Sequence, residues 1–119
     1  MTTLYGIPNC DTVRKARDWL TSHGVPHHFH DLRKHGVPAD RLGAWVAAAG
    51  WERVLNRRGT TWRGLGEARQ AAVVDAGSAQ AVMRAEPGSI KRPVVEWDDG
   101  AITVGFDPEA WATRARPGA

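Results

Sequence analysis

Apolar positions recur along the chain at strand and helix spacings, and each stretch predicts its own element. Thr3 to Gly6 is a short apolar run ended by Ile7-Pro8, the pattern of a buried strand. Val13, Ala16, Trp19 and Leu20 then fall on one face at helical spacing, and His23-Gly24 supplies the stop. Val25-Pro26 leads into a second strand, His27 to Leu32, with Lys34-His35-Gly36 as a turn. A helical crossover makes these two strands parallel, so the loop before the helix lies at the carboxyl end of the first strand.

The middle of the chain reads as helical. Pro38-Ala39-Asp40 opens a helix carrying Leu42, Trp45, Val46 and Ala49, closed by Gly50, and Trp51 to Leu55 forms a further turn. Asn56 to Leu65 is polar, basic and punctuated by glycine, the composition of a loop. Glu67 to Ala76 and Ser78 to Ala85 predict two helices, the second capped by Ser78. Beyond Pro87-Gly88, Val94 to Trp97 and Ala101 to Val104 flank Asp98-Asp99-Gly100 as a hairpin. Asp107 and Pro108 then cap and start a last helix running to about Arg114, with a frayed tail from Arg114 to Ala119.

Strand, helix, strand, helical block, hairpin and helix predict a single α/β domain. With about 36–87 set aside as an inserted helical subdomain, the order resembles that of thioredoxin-like domains, which implies a mixed four-stranded core sheet over residues 1–35 and 88–116. In such domains a helix N-terminus presents a thiol and a proline opens the third strand, here Pro93.

Composition narrows the function classes. The one cysteine excludes an internal disulfide, and no apolar run is long enough to span a bilayer. The start of the chain lacks the basic and apolar regions of a signal peptide, so a soluble, cytoplasmic, monomeric protein is expected. Sixteen Lys and Arg against thirteen Asp and Glu give a formal charge of +3, an excess that suits small anions or an acidic surface better than nucleic acid.

Cys10 carries the candidate chemistry. It falls where the first strand turns into the first helix, and the unpaired N–H groups and dipole of a helix N-terminus favour a thiolate over a thiol. The alternative is a packed cysteine acting as a small hydrophobe. Arg92 and Arg58 are candidate cations, since a guanidinium can fork onto a carboxylate or oxyanion. Asn9, Lys91 and Pro93 complete the set of candidate contacts with substrate, although Lys91 and Arg57 also read as solvated charges.

Three segments, Tyr5-Gly6-Ile7-Pro8-Asn9-Cys10-Asp11-Thr12, Leu55-Asn56-Arg57-Arg58-Gly59-Thr60-Thr61-Trp62-Arg63 and Ile90-Lys91-Arg92-Pro93-Val94, resemble motifs of one family in order and spacing. It is the arsenate reductase-related family (ArsC/Spx/YffB), and the YffB-like branch is the nearest match, over about Leu4 to Trp111. The resemblance implies a thiol-dependent reductase with Cys10 as nucleophile and Arg92 beside it. Asp11-Thr12-Val13 follows Cys10, so there is no Cys-x-x-Cys pair of the kind Spx proteins use. An external thiol must then resolve a mixed disulfide, and glutathione is the expected co-substrate, with glutaredoxin as a possible releasing partner and no bound cofactor.

The chain departs from the arsenate reductase pattern at three places. Those enzymes carry a His where this chain has Gly6, an Arg at the position aligned with Asn56, and another Arg near Gly105-Phe106. Arsenate is therefore a poor substrate candidate, whereas another small anionic or glutathione-linked substrate fits. Spx-type members also suggest the alternative of a transcriptional adaptor that binds RNA polymerase without catalysis.

Other features have structural readings. His27, His28, His30 and His35 crowd one stretch without accompanying ligands, so no metal site is assigned. Trp19, Trp45, Trp51, Trp97 and Trp111 fall on apolar faces as packing residues, and Trp62 is expected to anchor its loop.

Overall fold

The computed structural model describes residues 1–115. It divides into two compact units, one formed by the first 31 residues with the chain from Arg92 onward, the other by Leu32–Lys91. The sequence placed the ends of the helical segment at about 36 and 87 and the end of the core at 116, and Arg116 lies outside the described residues.

In the first unit, β1 (Thr2–Gly6), α1 (Asp11–Ser22) and β2 (His27–Asp31) form the expected strand–helix–strand. The later segments β3 (Val94–Glu96) and β4 (Ile102–Val104) complete a four-stranded sheet of order β2-β1-β3-β4. β1 runs parallel to β2 and antiparallel to β3, while β3 and β4 pair as the hairpin. Gly100, at φ +87, closes the turn in a conformation that few residues other than glycine adopt. Leu4, Val13, Ala16, Leu20, Val95, Trp97 and Trp111 form one buried cluster, which Phe29, Phe106 and Trp19 border. The α1 stripe predicted at helical spacing is thus the face that packs on the sheet. Trp111 comes from α8 (Pro108–Ala115), whose start is tied by the Ala110 N–H donating to Asp107 Oδ1 at 3.3 Å. Arg114, expected to fray, is helical and bonds Asp99 at 3.3 Å. The rest of the predicted tail, Arg116–Ala119, lies outside the described residues.

The second unit is helical: α2 (Leu32–His35), α3 (Ala39–Ala49), α4 (Trp51–Val54), α5 (Thr60–Gly64), α6 (Glu67–Ala71), α7 (Ala76–Ala85) and a 3₁₀ turn at Pro87–Ser89. α3 packs on α4 and α7, and Leu42, Trp45, Val54, Ala79, Met83 and Ile90 are fully buried. Three local expectations are corrected. Leu32 to His35 is a helical turn rather than strand end and turn, because Gly36 at φ +80 ends it and Arg33, Lys34 and His35 suit its C-terminal carbonyls. Thr60 to Gly64 is helical rather than loop, with Gly59 at its N-cap accepting from the Arg63 N–H at 3.2 Å. The helix expected over Glu67 to Ala76 ends at Ala71, and Asp75 rather than Ser78 caps α7.

That cap is reciprocal. Asp75 Oδ1 accepts from the Ser78 N–H at 2.9 Å, and Ser78 Oγ accepts from the Asp75 N–H at 3.1 Å. The Ser78 backbone donor, helped by its hydroxyl, holds the Asp75 carboxyl below its ordinary value of 3.8. Because the folded value is depressed, the stabilisation is present above the unfolded value and is lost as pH falls through the folded one. Urea midpoints of Asp75→Asn and the unaltered protein should therefore differ at neutral pH and converge below the carboxylate range.

Candidate functional site

Cys10 is the N-cap of the twelve-residue α1, extended at φ −106, ψ 125, and its carbonyl accepts from the Arg14 N–H at 2.9 Å. Its side chain makes no capping hydrogen bond, so the N–H groups of the first turn are left unsatisfied by the cap residue. The residue is half-buried against the sheet–helix core, while Pro8 and Asn9 are exposed. Buried Val13, Ala16 and Leu20 clamp the helix behind it.

The register of the sheet collects other predicted residues at the same end. Tyr5 pairs with Val94 antiparallel, so Arg92-Pro93 enters β3 where β1 leaves toward Cys10. Pro93 is buried, Arg92 is half-buried, and the peptide between them is cis. Val94 pairs with Val104, and the Gly105 N–H donates to the Pro93 carbonyl at 2.8 Å, which brings Gly105-Phe106 to this end as well. Cys10, Asn9, Arg92 and Pro93 therefore share one end of the sheet.

Gly6 is a packing requirement. It lies in β1 itself, and a Cβ there would come within 2.8 Å of Val13 Cγ2, a side chain with no exposed surface. An imidazole at this position has no space without moving α1. Gly6→Ala is expected to lower stability by about 1–3 kcal/mol through overpacking, read from urea unfolding.

Arg58 and Lys91 lie in the helical unit. The Lys91 N–H donates to the Val54 carbonyl at 2.8 Å, and the Asn56 N–H to Ser89 at 2.7 Å, around a Leu55–Ile90 bridge. Asn56 Oδ1 accepts from the Arg58 N–H at 3.2 Å. These bonds frame a cavity of about 440 Å³ lined by Arg58 and Lys91 together with Glu52, Arg53 and Arg57. Arg57, read as solvated, is exposed and also lines this cavity; it lies 3.8 Å from Glu52 and 5.6 Å from the Trp51 ring centroid.

Sequence reasoning also missed Tyr5 and Glu96. The Tyr5 hydroxyl donates to Glu96 Oε1 at 3.0 Å, and its ring lies 5.0 Å from that of His30. The contact links residues 91 positions apart, and the only prior signal was a polar residue inside an apolar strand. Of the histidines, His27 Nδ1 lies 2.8 Å from the Val25 carbonyl. No group of three metal-ligating side chains occurs among the described residues. The Trp62 carbonyl accepts from Gln70 Nε2 at 2.8 Å, and its indole is half-buried.

A mixed sheet bearing one thiol at a helix N-terminus, with a proline opening the adjacent strand, defines an α/β protein of the thioredoxin-like class. The chain belongs to the ArsC family, whose model matches residues 5–114. It is 39% identical over 111 residues to an uncharacterized protein of Haemophilus influenzae, covering 93% of this chain and 96% of that one. A solved YFFB protein matches with a TM-score of 0.92 and 46% identity, over 98% of this chain and 100% of its own, which bears out the likeness to the YffB-like branch. An arsenate reductase (ArsC) related protein from Brucella melitensis is also 46% identical, with a TM-score of 0.73 over 94% and 92% of the two chains. The global transcriptional regulator Spx of Staphylococcus epidermidis is 22% identical over 111 residues, covering 92% of this chain and 82% of the regulator. No described helix is long and apolar enough to cross a membrane.

Proposed function

We propose that the protein is a cytoplasmic thiol-dependent oxidoreductase in which Cys10 is the nucleophile and glutathione the external reductant. The observation that carries this reading is the position of the chain's single cysteine, at an N-cap whose side chain caps nothing. The thiolate attacks the glutathione sulfur of a mixed disulfide. One sulfur–sulfur bond breaks, the substrate sulfur leaves and takes a proton, and a Cys10–glutathione disulfide forms. A second glutathione thiolate then attacks its sulfur, releasing glutathione disulfide and regenerating Cys10. Glutaredoxin is a candidate for accelerating that release.

Arg92 is assigned to an anionic group of substrate or co-substrate at the same end of the sheet, with Asn9 and Pro93 bordering it. A hydrogen bond to a charged group contributes about 1.5–3 kcal/mol, so Arg92→Ala should lower kcat/KM by about 10- to 100-fold in a glutathione-coupled assay. Arg92→Lys, which keeps the charge but loses the fork, should recover only part. An unchanged kcat/KM in Arg92→Ala would remove Arg92 from the site. Arsenate fits poorly, because Gly6 brings no imidazole and Asn56 brings no charge.

The likeness to Spx supports a second reading, a transcriptional adaptor that binds RNA polymerase without catalysis. An adaptor would retain its function in Cys10→Ser, and the reductase would not.

A further inference from the structure

The cavity of the helical unit crowds four cations against one carboxylate: Arg53, Arg57, Arg58 and Lys91 line it, with Glu52. We propose that it is a binding site for a compact polyanion, a ligand carrying two or more neighbouring phosphate or carboxylate groups. The proposal does not depend on Cys10 or on the redox reading above.

Three observations lead to it. The cations are held together by backbone structure, since the Val54–Lys91 and Asn56–Ser89 hydrogen bonds fix the two chain segments side by side. The Asn56 side chain orders the turn that presents Arg57 and Arg58. Like charges lining one cavity repel one another, and Glu52, 3.8 Å from Arg57, is the one carboxylate among the described residues of that lining. An anion of several charges relieves the repulsion more than a single carboxylate does, and guanidinium groups can fork onto its oxygens.

Size and lining favour a compact ligand. At about 440 Å³ the cavity is near the small end of ligand pockets, which run from about 300 to 1,000 Å³. None of the described residues that line it is aromatic, and its one apolar member, Leu55, is only 2% exposed. A nucleic-acid base would find no aromatic stacking surface there. The lining suits a phosphorylated or polycarboxylic small molecule.

Calorimetric titration of the full chain with inorganic pyrophosphate and with citrate tests this, with acetate at matched ionic strength as control. Saturable one-to-one binding of at least one probe is expected, the stronger of the two identifying phosphate or carboxylate as the preferred group. Arg57→Ala/Arg58→Ala should weaken it by about tenfold or more, and Glu52→Gln should tighten it. Binding should persist in Cys10→Ser, which separates failure here from failure of the thiol mechanism. If the double variant does not fold, Lys91→Gln and Glu52→Gln should still shift affinity in opposite directions. The proposal is overturned by absence of saturable binding, by equal response to acetate, or by affinities indifferent to these substitutions.

Discussion

Replacing Cys10 with Ser is expected to abolish glutathione-coupled reductase activity, by about three orders of magnitude or more, while leaving the protein as stable as before or slightly more so. The two halves of this expectation come from the same position. Cys10 is the N-cap of α1 and its sulfur satisfies none of the orphan N–H groups, whereas a serine hydroxyl is among the best acceptors for them. The substitution should therefore add about 0.5–1 kcal/mol of helix capping. A hydroxyl at this site lacks the thiolate's nucleophilicity, so the better cap is the worse catalyst. Activity and urea unfolding measured on one preparation check both parts. Retained turnover would remove Cys10 from the chemistry, and lost turnover with lost stability would make the loss a matter of folding.

Trp111→Ala should be the most damaging single truncation in the sheet unit. The side chain is 1% exposed and packs edge-on against Trp19, Trp97 and Phe106, with ring centroids 5.5, 5.1 and 4.9 Å away. Removing an indole from such a setting costs about 3–5 kcal/mol, against a total of about 5–15 kcal/mol for a domain of ordinary stability. Trp111→Phe should cost less, because an aromatic ring still fills part of the space. At about 1–3 kcal/mol per molar urea, the alanine variant should unfold at least about 1 M earlier. Trp97 loses one of its neighbours in the same change, so near-ultraviolet circular dichroism should also flatten. An unfolding midpoint within error of the unaltered protein would show that α8 does not close the core.

How far these features are legible in the sequence depends on how local their causes are. β1, α1 and the hairpin around Gly100 were readable because Pro8, Gly24 and Asp98-Asp99-Gly100 mark their ends within a few residues. The Cys10 position follows from the parallel crossover, and its neighbourhood with Pro93 from the resemblance to thioredoxin-like domains. α5 was not readable, because Gly59 reads as a breaker until it is found at an N-cap. The sequence reads Ser78 as the cap where Asp75 stands, since the two residues bond each other and either residue type can cap. Arg53, Arg57 and Arg58 are neighbours in the sequence, but Lys91 joins them only through the Leu55–Ile90 bridge, a pairing across the helical unit that no local pattern announces. The Tyr5–Glu96 bond was hidden for the same reason. Gly6 read as a departure from a reductase motif, and its contact with Val13 supplies the physical cause.

The measurement that reaches the central claim most directly is the rate of Cys10 alkylation by iodoacetamide at neutral pH, in the folded protein and in the chain unfolded by guanidinium. The single cysteine makes the rate unambiguous, and its partial burial makes the comparison decisive. Packing alone slows reaction in the folded state. A helix N-terminus that favours the thiolate speeds it. Faster alkylation in the folded protein than in the unfolded chain is the predicted result; slower alkylation would make Cys10 a packed cysteine and contradict the account.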